Sequence, residues 1–307
     1  MTVSSSLKRK KLECLVAGST HLVKVGIVAK TRIQEFGPQL VKILEHLRSY
    51  GCQVFVDQKV VDDLSLENVE GRAREALPAI SDALIVFGGD GTLLSVARLV
   101  GEQSCPILGV NLGSLGFLTE VTLEEFDAVA RKLVSGDFRT RRRSLLEINL
   151  LRQDGTTAKY RALNDAVINK GALARIISME AYCDEDFIAN FLADGIIVAT
   201  STGSTAYSLS AGGPIVHPTQ DLIVLTPICP HTLANRPLIL PRQSEVRIRL
   251  KAGEEVMLTV DGQVGTTVNP GDEIRCRLAE QSIELVDSSS RNFFDVLRQK
   301  LKWAERL

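Results

Sequence analysis

The sequence predicts two domains of different texture: an N-terminal α/β domain on a mostly parallel sheet, then a β-rich domain, with a C-terminal helix returning to the first. Three observations carry this. Up to about residue 140, buried-strand runs alternate with amphipathic helical stretches, the pattern of βαβ units. From residue 143 the texture changes to short alternating runs set between turn residues. The last stretch, 293–307, regains helical spacing. A chain of 307 residues, 45% hydrophobic and 24% charged, is long enough for two cores. The expected divisions are a loose leader at 1–21, an α/β domain at 22–140 with 288–307 packed back on it, and a β-rich domain at 141–287.

Residues 1–19 lack periodicity, structure is expected to start near Leu22, and the first strand is expected at 23–29. Residues 38–50 place Leu40, Ile43, Leu44 and Leu47 on one helical face and end at Gly51, ahead of a strand at 53–56. The polar stretch 57–78 reads as a surface excursion with one short helix. An apolar run at 83–87 suits a buried strand and 92–100 a helix. Another strand at 106–110 runs into N-L-G-S-L-G-F-L at 111–118. There Gly113 and Gly116 either allow close backbone approach to a ligand or form a packing turn.

Helix 122–135 opens on a capping box, Thr122 with Glu125, and ends at Gly136. Runs at 146–151 and 158–161 flank Asp154-Gly155, a hairpin signal. Strand texture continues at 163–169, 178–183, 187–191, 245–250, 256–260, 273–278 and 283–286, with a helical interruption at 203–212. The final helix places Phe294, Leu297 and Leu301 on one side.

Lys plus Arg number 36 against 37 Asp plus Glu, which leaves no electrostatic footprint for nucleic acid or an acidic membrane. The basic run 139–143 reads as a solvated domain junction. Six scattered cysteines without C-x-x-C, and four histidines without helical ligand spacing, predict reduced thiols and no structural metal. No segment reaches membrane-spanning length, and the basic run 8–11 is followed by too polar a stretch for a signal peptide. A soluble, cytoplasmic protein is expected.

The chemistry concentrates in two stretches. Residues 82–97 read strand, glycine loop, helix: D-A-L-I-V-F-G-G-D-G-T-L-L-S-V-A. Glycines and a helix start form a phosphate cradle. Asp90 is the odd residue, because a carboxylate repels an anion unless it binds a cation or takes a proton from a nucleophile. The alternative is a tight turn in which Asp90 caps the helix. The second stretch, 193–216, opens from a strand at 196–199 into a run of hydroxyls leading to a helix near Ser204. Such donors suit a ligand with phosphates or an amide, or form a capped Ser/Thr loop. Asn164 and Asp165 add polar groups to an apolar strand, for a ligand or for an internal hydrogen bond.

Taken together, G-G-D-G-T at 88–92, L-N-D at 163–165, D-G-I-I-V-A-T-S-T-G-S-T-A-Y at 194–207, C-P-H-T-L-A-N-R-P-L at 229–238 and D-G-Q at 261–263 resemble the NAD kinases. Ser201 departs from the proline many members carry there, and Asp165 stands where others carry Glu. The resemblance implies transfer of a phosphoryl group from ATP, another nucleoside triphosphate or polyphosphate to the 2′-hydroxyl of the adenosine ribose of NAD, giving NADP. It assigns Asp90 as general base and Gly88, Gly89, Gly91 and Thr92 to the phosphate turn. Asn164, Asp165, Asp194, Thr202, Thr205, Ala206, Tyr207 and Ser210 are assigned to NAD. Mg²⁺ or another divalent cation accompanies the donor, with no metal site from protein alone. A homodimer or homotetramer is implied. Two rivals are a diacylglycerol-type lipid kinase, which shares the G-G-D-G-T loop, and a non-catalytic dinucleotide sensor. The second hydroxyl block speaks against the first and Asp90 against the second.

Overall fold

The computed structural model describes residues 23–30, 36–100, 105–232, 234–287 and 291–303. The expected leader therefore lies outside the described residues, as do the last residues of the expected C-terminal helix. The described residues fall into two compact units, one drawn from Met1–Arg142 with Ile283–Leu307, the other Arg143–Ser282.

The first unit runs β1 (Lys24–Ala29), α1 (Phe36–Ser49), β2 (Gln53–Asp57), α2 (Gln58–Asp63), β3 (Glu70–Arg72), α3 (Leu77–Ile80), β4 (Ala83–Gly88), α4 (Asp90–Ala97), β5 (Ile107–Asn111), β6 (Val121–Thr122) and α5 (Leu123–Ser135). Its sheet is parallel, in the order β5-β4-β1-β2-β3, with β6 beside β5. Each central strand is buried on both faces, which is why β4 reads as a continuous apolar run. Helix α1 buries Leu40, Ile43, Leu44 and Leu47 on the expected face. Phe36, Phe87 and Phe126 pack ring against ring in this core. The capping box at Thr122 and a left-handed Gly136 bound α5 as its sequence predicts.

The stretch 57–78 is more structured than expected. Buried Asp57 caps α2 through the Lys59 N–H and accepts from Arg74 Nε at 2.7 Å, which ties the edge strand β3 region to the sheet.

The second unit holds β7 (Thr140–Leu151) from residue 143 on, β8 (Thr157–Ala162), β9 (Asp165–Asn169), β10 (Ile177–Cys183), β11 (Asp186–Ala193), β12 (Gly195–Thr200), α5's successor α6 (Tyr207–Ser210), β13 (Leu222–Ile228), β14 (Leu238–Pro241), β15 (Glu245–Ala252), β16 (Val256–Val260), β17 (Val264–Val268) and β18 (Glu273–Val286) up to residue 282. Six antiparallel strands run β14-β13-β12-β9-β16-β17. A second layer runs β11-β10-β15-β18, with the hairpin of β7 and β8 attached to β18. The main core lies between the layers. Alternation along β9 and β12 sends Ala166, Ile168, Ile196 and Val198 into it and turns Val167, Ile197 and Ala199 to the other face, where Val216 covers them. Strands β13, β14 and β17 were not expected from periodicity, and the two runs 273–278 and 283–286 form one strand.

In the basic run Arg139 and Arg142 are exposed, as a solvated stretch requires, and two others depart from that expectation. Arg143 is buried, and Arg141 pairs with Asp287 at 2.7 Å. The last element, α7 (Phe293–Leu301), belongs to the first unit, and Arg291 beside it pairs with Glu125 at 2.9 Å. A capping box at Asn292 sets its rotation so that Val296 and Leu297 are buried, while Phe294 is exposed instead of facing inward.

Candidate active site

The glycine loop joins β4 to α4. Gly88 ends the strand, Gly89 is the N-cap without a side-chain bond, Asp90 opens the helix, Gly91 is exposed and Thr92 is half-buried. Asp90 does not cap its own helix. Its carboxylate turns to the loop after β5 and accepts from the backbone N–H of Phe117 (Oδ2, 2.9 Å), Leu118 (Oδ1, 2.9 Å) and Thr119 (Oδ1, 3.1 Å), and from the Thr119 hydroxyl (Oδ1, 3.2 Å). The capping alternative is thereby corrected: the charge sits on three N–H groups of a distant segment.

The network continues outward. Thr119 Oγ1 accepts from Asn111 Nδ2 at 2.9 Å, and the Asn111 side chain also bonds the Gly113 N–H and the Ser114 carbonyl. A Cβ on Gly116 would lie 2.1 Å from Asp90 Oδ1 and 2.4 Å from Thr119 Oγ1. The close approach that Gly116 permits is therefore to Asp90. Counting acceptor positions, Oδ1 is saturated by three donors and Oδ2 retains one lone-pair direction. Asp90 as a residue is half-buried.

In the second unit, Asn164 and Asp165 sit where β9 meets the end of β12, with Asp165 paired opposite Ala199. Their backbone is fastened from two sides. Thr200 N–H donates to the Asn164 carbonyl at 2.9 Å and Thr200 Oγ1 to the Leu163 carbonyl at 2.6 Å. From the other side, Asp261 accepts the N–H groups of Leu163, Asn164 and Asp165 at 3.0, 2.8 and 3.2 Å. Asp261 and Gly262 both have positive φ, 49° and 64°, the hairpin turn that an Asp-Gly pair favours between β16 and β17. D-G-Q at 261–263 is one of the blocks shared with the family, and the fold gives Asp261 the task of fastening residues 163–165. The Asp-Gly turn signal was present in it.

The hydroxyl loop divides into structural and available groups. Ser204 Oγ donates to the Ser201 carbonyl at 2.7 Å and accepts the Val216 N–H, and Ser208 bonds Thr226 Oγ1 at 2.9 Å. Thr205 Oγ1 donates to the Thr202 carbonyl at 3.2 Å. Thr202 Oγ1 is buried with no hydrogen-bond partner among the described residues, an arrangement that costs free energy unless a ligand completes it. Tyr207 presents an exposed ring and Ser210 is exposed. The expected helix near Ser204 is a single 3-10 turn, Gly203–Thr205, and the one-turn α6, parted by half-buried Ala206.

Asn164, Asp165, Thr202 and Thr205 thus gather at one end of β12. Asp194 does not join them. It lies before the first residue of that strand, roughly 20 Å away at strand rise, and pairs with Lys170 at 3.7 Å.

Comparison with known proteins agrees with this geometry. The ATP-NAD kinase N-terminal domain model matches residues 25–138 and the ATP-NAD kinase C-terminal domain model residues 163–288. An NAD kinase of Geobacter sulfurreducens is 52% identical over 287 residues, covering 92% of this chain and 99% of its own. The yeast NADH kinase crystallised with NADH superposes with a TM-score of 0.84 at 32% identity, over 93% of this chain and 89% of that one. The Archaeoglobus fulgidus NAD kinase in complex with ATP gives 0.73 at 25%, over 90% and 99%. These relatives define the class, a phosphotransferase with an alcohol group as acceptor. The chain belongs to the NAD kinase family.

Proposed function

We propose that this chain transfers the γ-phosphoryl group of ATP to the 2′-hydroxyl of the adenosine ribose of NAD, releasing ADP and NADP. The observation that carries the assignment of roles is the single lone-pair direction left on Asp90 Oδ2, in a loop whose glycines and helix start otherwise favour phosphate. As the 2′-oxygen bonds to the γ-phosphorus and the bridging P–O bond to ADP breaks, the hydroxyl proton passes to Asp90 Oδ2. Gly88, Gly89, Gly91 and Thr92 frame the phosphates. Asn164, Asp165, Thr202, Thr205, Ala206, Tyr207 and Ser210 hold the dinucleotide, and the unsatisfied Thr202 hydroxyl supports that placement.

The divalent cation enters as the Mg²⁺ complex of the donor, because the protein hydrogen bonds at Asp90 leave too few oxygens for a cage of its own. A homo-oligomer accommodates Asp194, whose position at the far end of β12 suits the pocket of a neighbouring protomer. The cytoplasm supplies all of these substrates, and among the described residues no helix is long and apolar enough to cross a membrane.

Incubation with NAD, ATP and Mg²⁺, followed by an NADP-specific dehydrogenase and by mass spectrometry of the product, tests this. Failure to form NADP, or phosphate carried elsewhere on the dinucleotide, would sink it. Parallel reactions with polyphosphate and with NADH define the donor and the acceptor.

A further inference from the structure

Asp165 opens β9 on the face that carries Val167, away from the main core, and is only 4% exposed. Neither of its carboxyl oxygens has a hydrogen-bond donor or an ion-pair partner among the described residues. Among the described residues no Lys, Arg or His lowers the Asp165 carboxyl's titration. From β12 come Ala199 and Thr200, which are uncharged, and from the turn between β16 and β17 comes Asp261. Three backbone N–H groups aimed at Asp261 stabilise negative charge there, next to a buried carboxyl that has no such support. An ionised carboxylate in that position is unfavourable twice over, through lost solvation and through its like-charged neighbour.

We propose that Asp165 engages the dinucleotide as a neutral carboxylic acid, donating its proton to an uncharged acceptor of the ligand, so that dinucleotide binding weakens as pH rises above neutrality. The proposal rests on the reading above that this end of β12 takes the dinucleotide. Burial first, and the charge of Asp261 second, push the Asp165 carboxyl up to about 7. Only the protonated carboxyl donates. The negative Asp261 disfavours the pyrophosphate as the partner, so the acceptor is an uncharged atom of the dinucleotide: a ribose hydroxyl oxygen, an adenine ring nitrogen or the carboxamide oxygen.

Calorimetric titration of the full chain with NAD, in two buffers of different ionisation enthalpy and across pH 5.5–8.5, tests it. The expected result is proton uptake on binding at pH 7.5 and an affinity that is flat at the acid end and falls about tenfold per pH unit above the Asp165 titration. Asp165→Asn keeps a permanent donor, so it should bind NAD without Asp165-linked proton uptake and with a flat pH profile. Asp165→Ser makes the same comparison for uptake if the amide variant does not fold. Binding by the wild type without proton uptake, or the same uptake in both variants, overturns the proposal and leaves the dinucleotide site in place. Unchanged NAD affinity in Asn164→Ala at every pH would instead overturn the site assignment itself.

Discussion

Asp90 and Thr119 stand 29 positions apart, and both the backbone N–H and the hydroxyl of Thr119 donate to Asp90 Oδ1, at 3.1 and 3.2 Å. The residue assigned to proton transfer is therefore also the strap that fastens the loop after β5 to the start of α4. One carboxylate serves both tasks because its two oxygens are used unequally. Oδ1 takes three of the four bonds to the loop, and Oδ2 takes one, from the Phe117 N–H, and keeps an acceptor position to spare.

Replacing Asp90 by Asn should separate these tasks. The amide keeps the size but presents an NH₂ group to at least one N–H donor and cannot accept a proton at neutral pH. Turnover should fall by roughly 10²–10⁴-fold. Stability should fall by about 1–3 kcal/mol through the lost charge-assisted bonds. NADP formation and thermal unfolding check the two. Near-normal turnover in a folded variant would leave Asp90 as a strap alone.

Gly116→Ala tests the strap from the other side. Its Cβ would meet Asp90 Oδ1 at 2.1 Å, so the carboxylate must swing away or the loop must lift. Catalytic turnover should drop at least tenfold while the variant remains folded, with a stability loss of about 1–3 kcal/mol. Full turnover would show that the carboxylate position is not critical.

Gly203→Ala should disturb the dinucleotide side. The added Cβ would lie 2.1 Å from the Asn164 backbone carbonyl oxygen and 2.5 Å from its carbon, neither of which can rotate aside. The Michaelis constant for NAD should rise several-fold and that for ATP should hold. Unchanged constants for both would detach the Asn164 backbone from substrate binding.

Tyr207→Ala and Asn164→Ala should likewise weaken NAD and spare ATP, since the Tyr207 ring is exposed and the Asn164 side chain is half-buried beside the hydroxyl loop. A raised Michaelis constant for ATP with an unaltered one for NAD would mean that the loop holds the other substrate.

Asp165 also predicts the pH dependence of folding. Its carboxyl titrates near 7 in the folded chain against 3.8 for the free side chain, so the folded state holds more protons between those values. The contribution to stability is fully present below pH 3.8 and is lost as pH rises through about 7, on the order of 4 kcal/mol in all. Asp165→Asn should flatten that decline and melt higher than the wild type at pH 8. Parallel stability curves for the two proteins from pH 5 to 8 would contradict it.

Much of the architecture was legible because its signals are local. The apolar runs of β1, β4 and β5, the single faces of α1 and α5, the capping box at Thr122 and the Asp-Gly turn at residue 155 each depend on neighbours within a few positions. Strands β13, β14 and β17 escaped because Pro, Thr and Gly dilute their alternation, and pairing with strands distant in sequence supplies what their own propensity lacks.

By itself, the order of residues determined the two textures, the glycine loop, the hydroxyl run and the family that carries them, all of which are contiguous in the chain. Only the tertiary structure decided which polar groups are spoken for. Asp90 meets Thr119, Asp261 meets residues 163–165 across 96 to 98 positions, and Ser204 meets Val216; among the described residues Thr202 Oγ1 meets no partner, and the Asp165 carboxyl meets only burial and the like charge of Asp261. A hydrogen bond needs two atoms within about 3 Å, and along a chain only the fold brings distant residues that close.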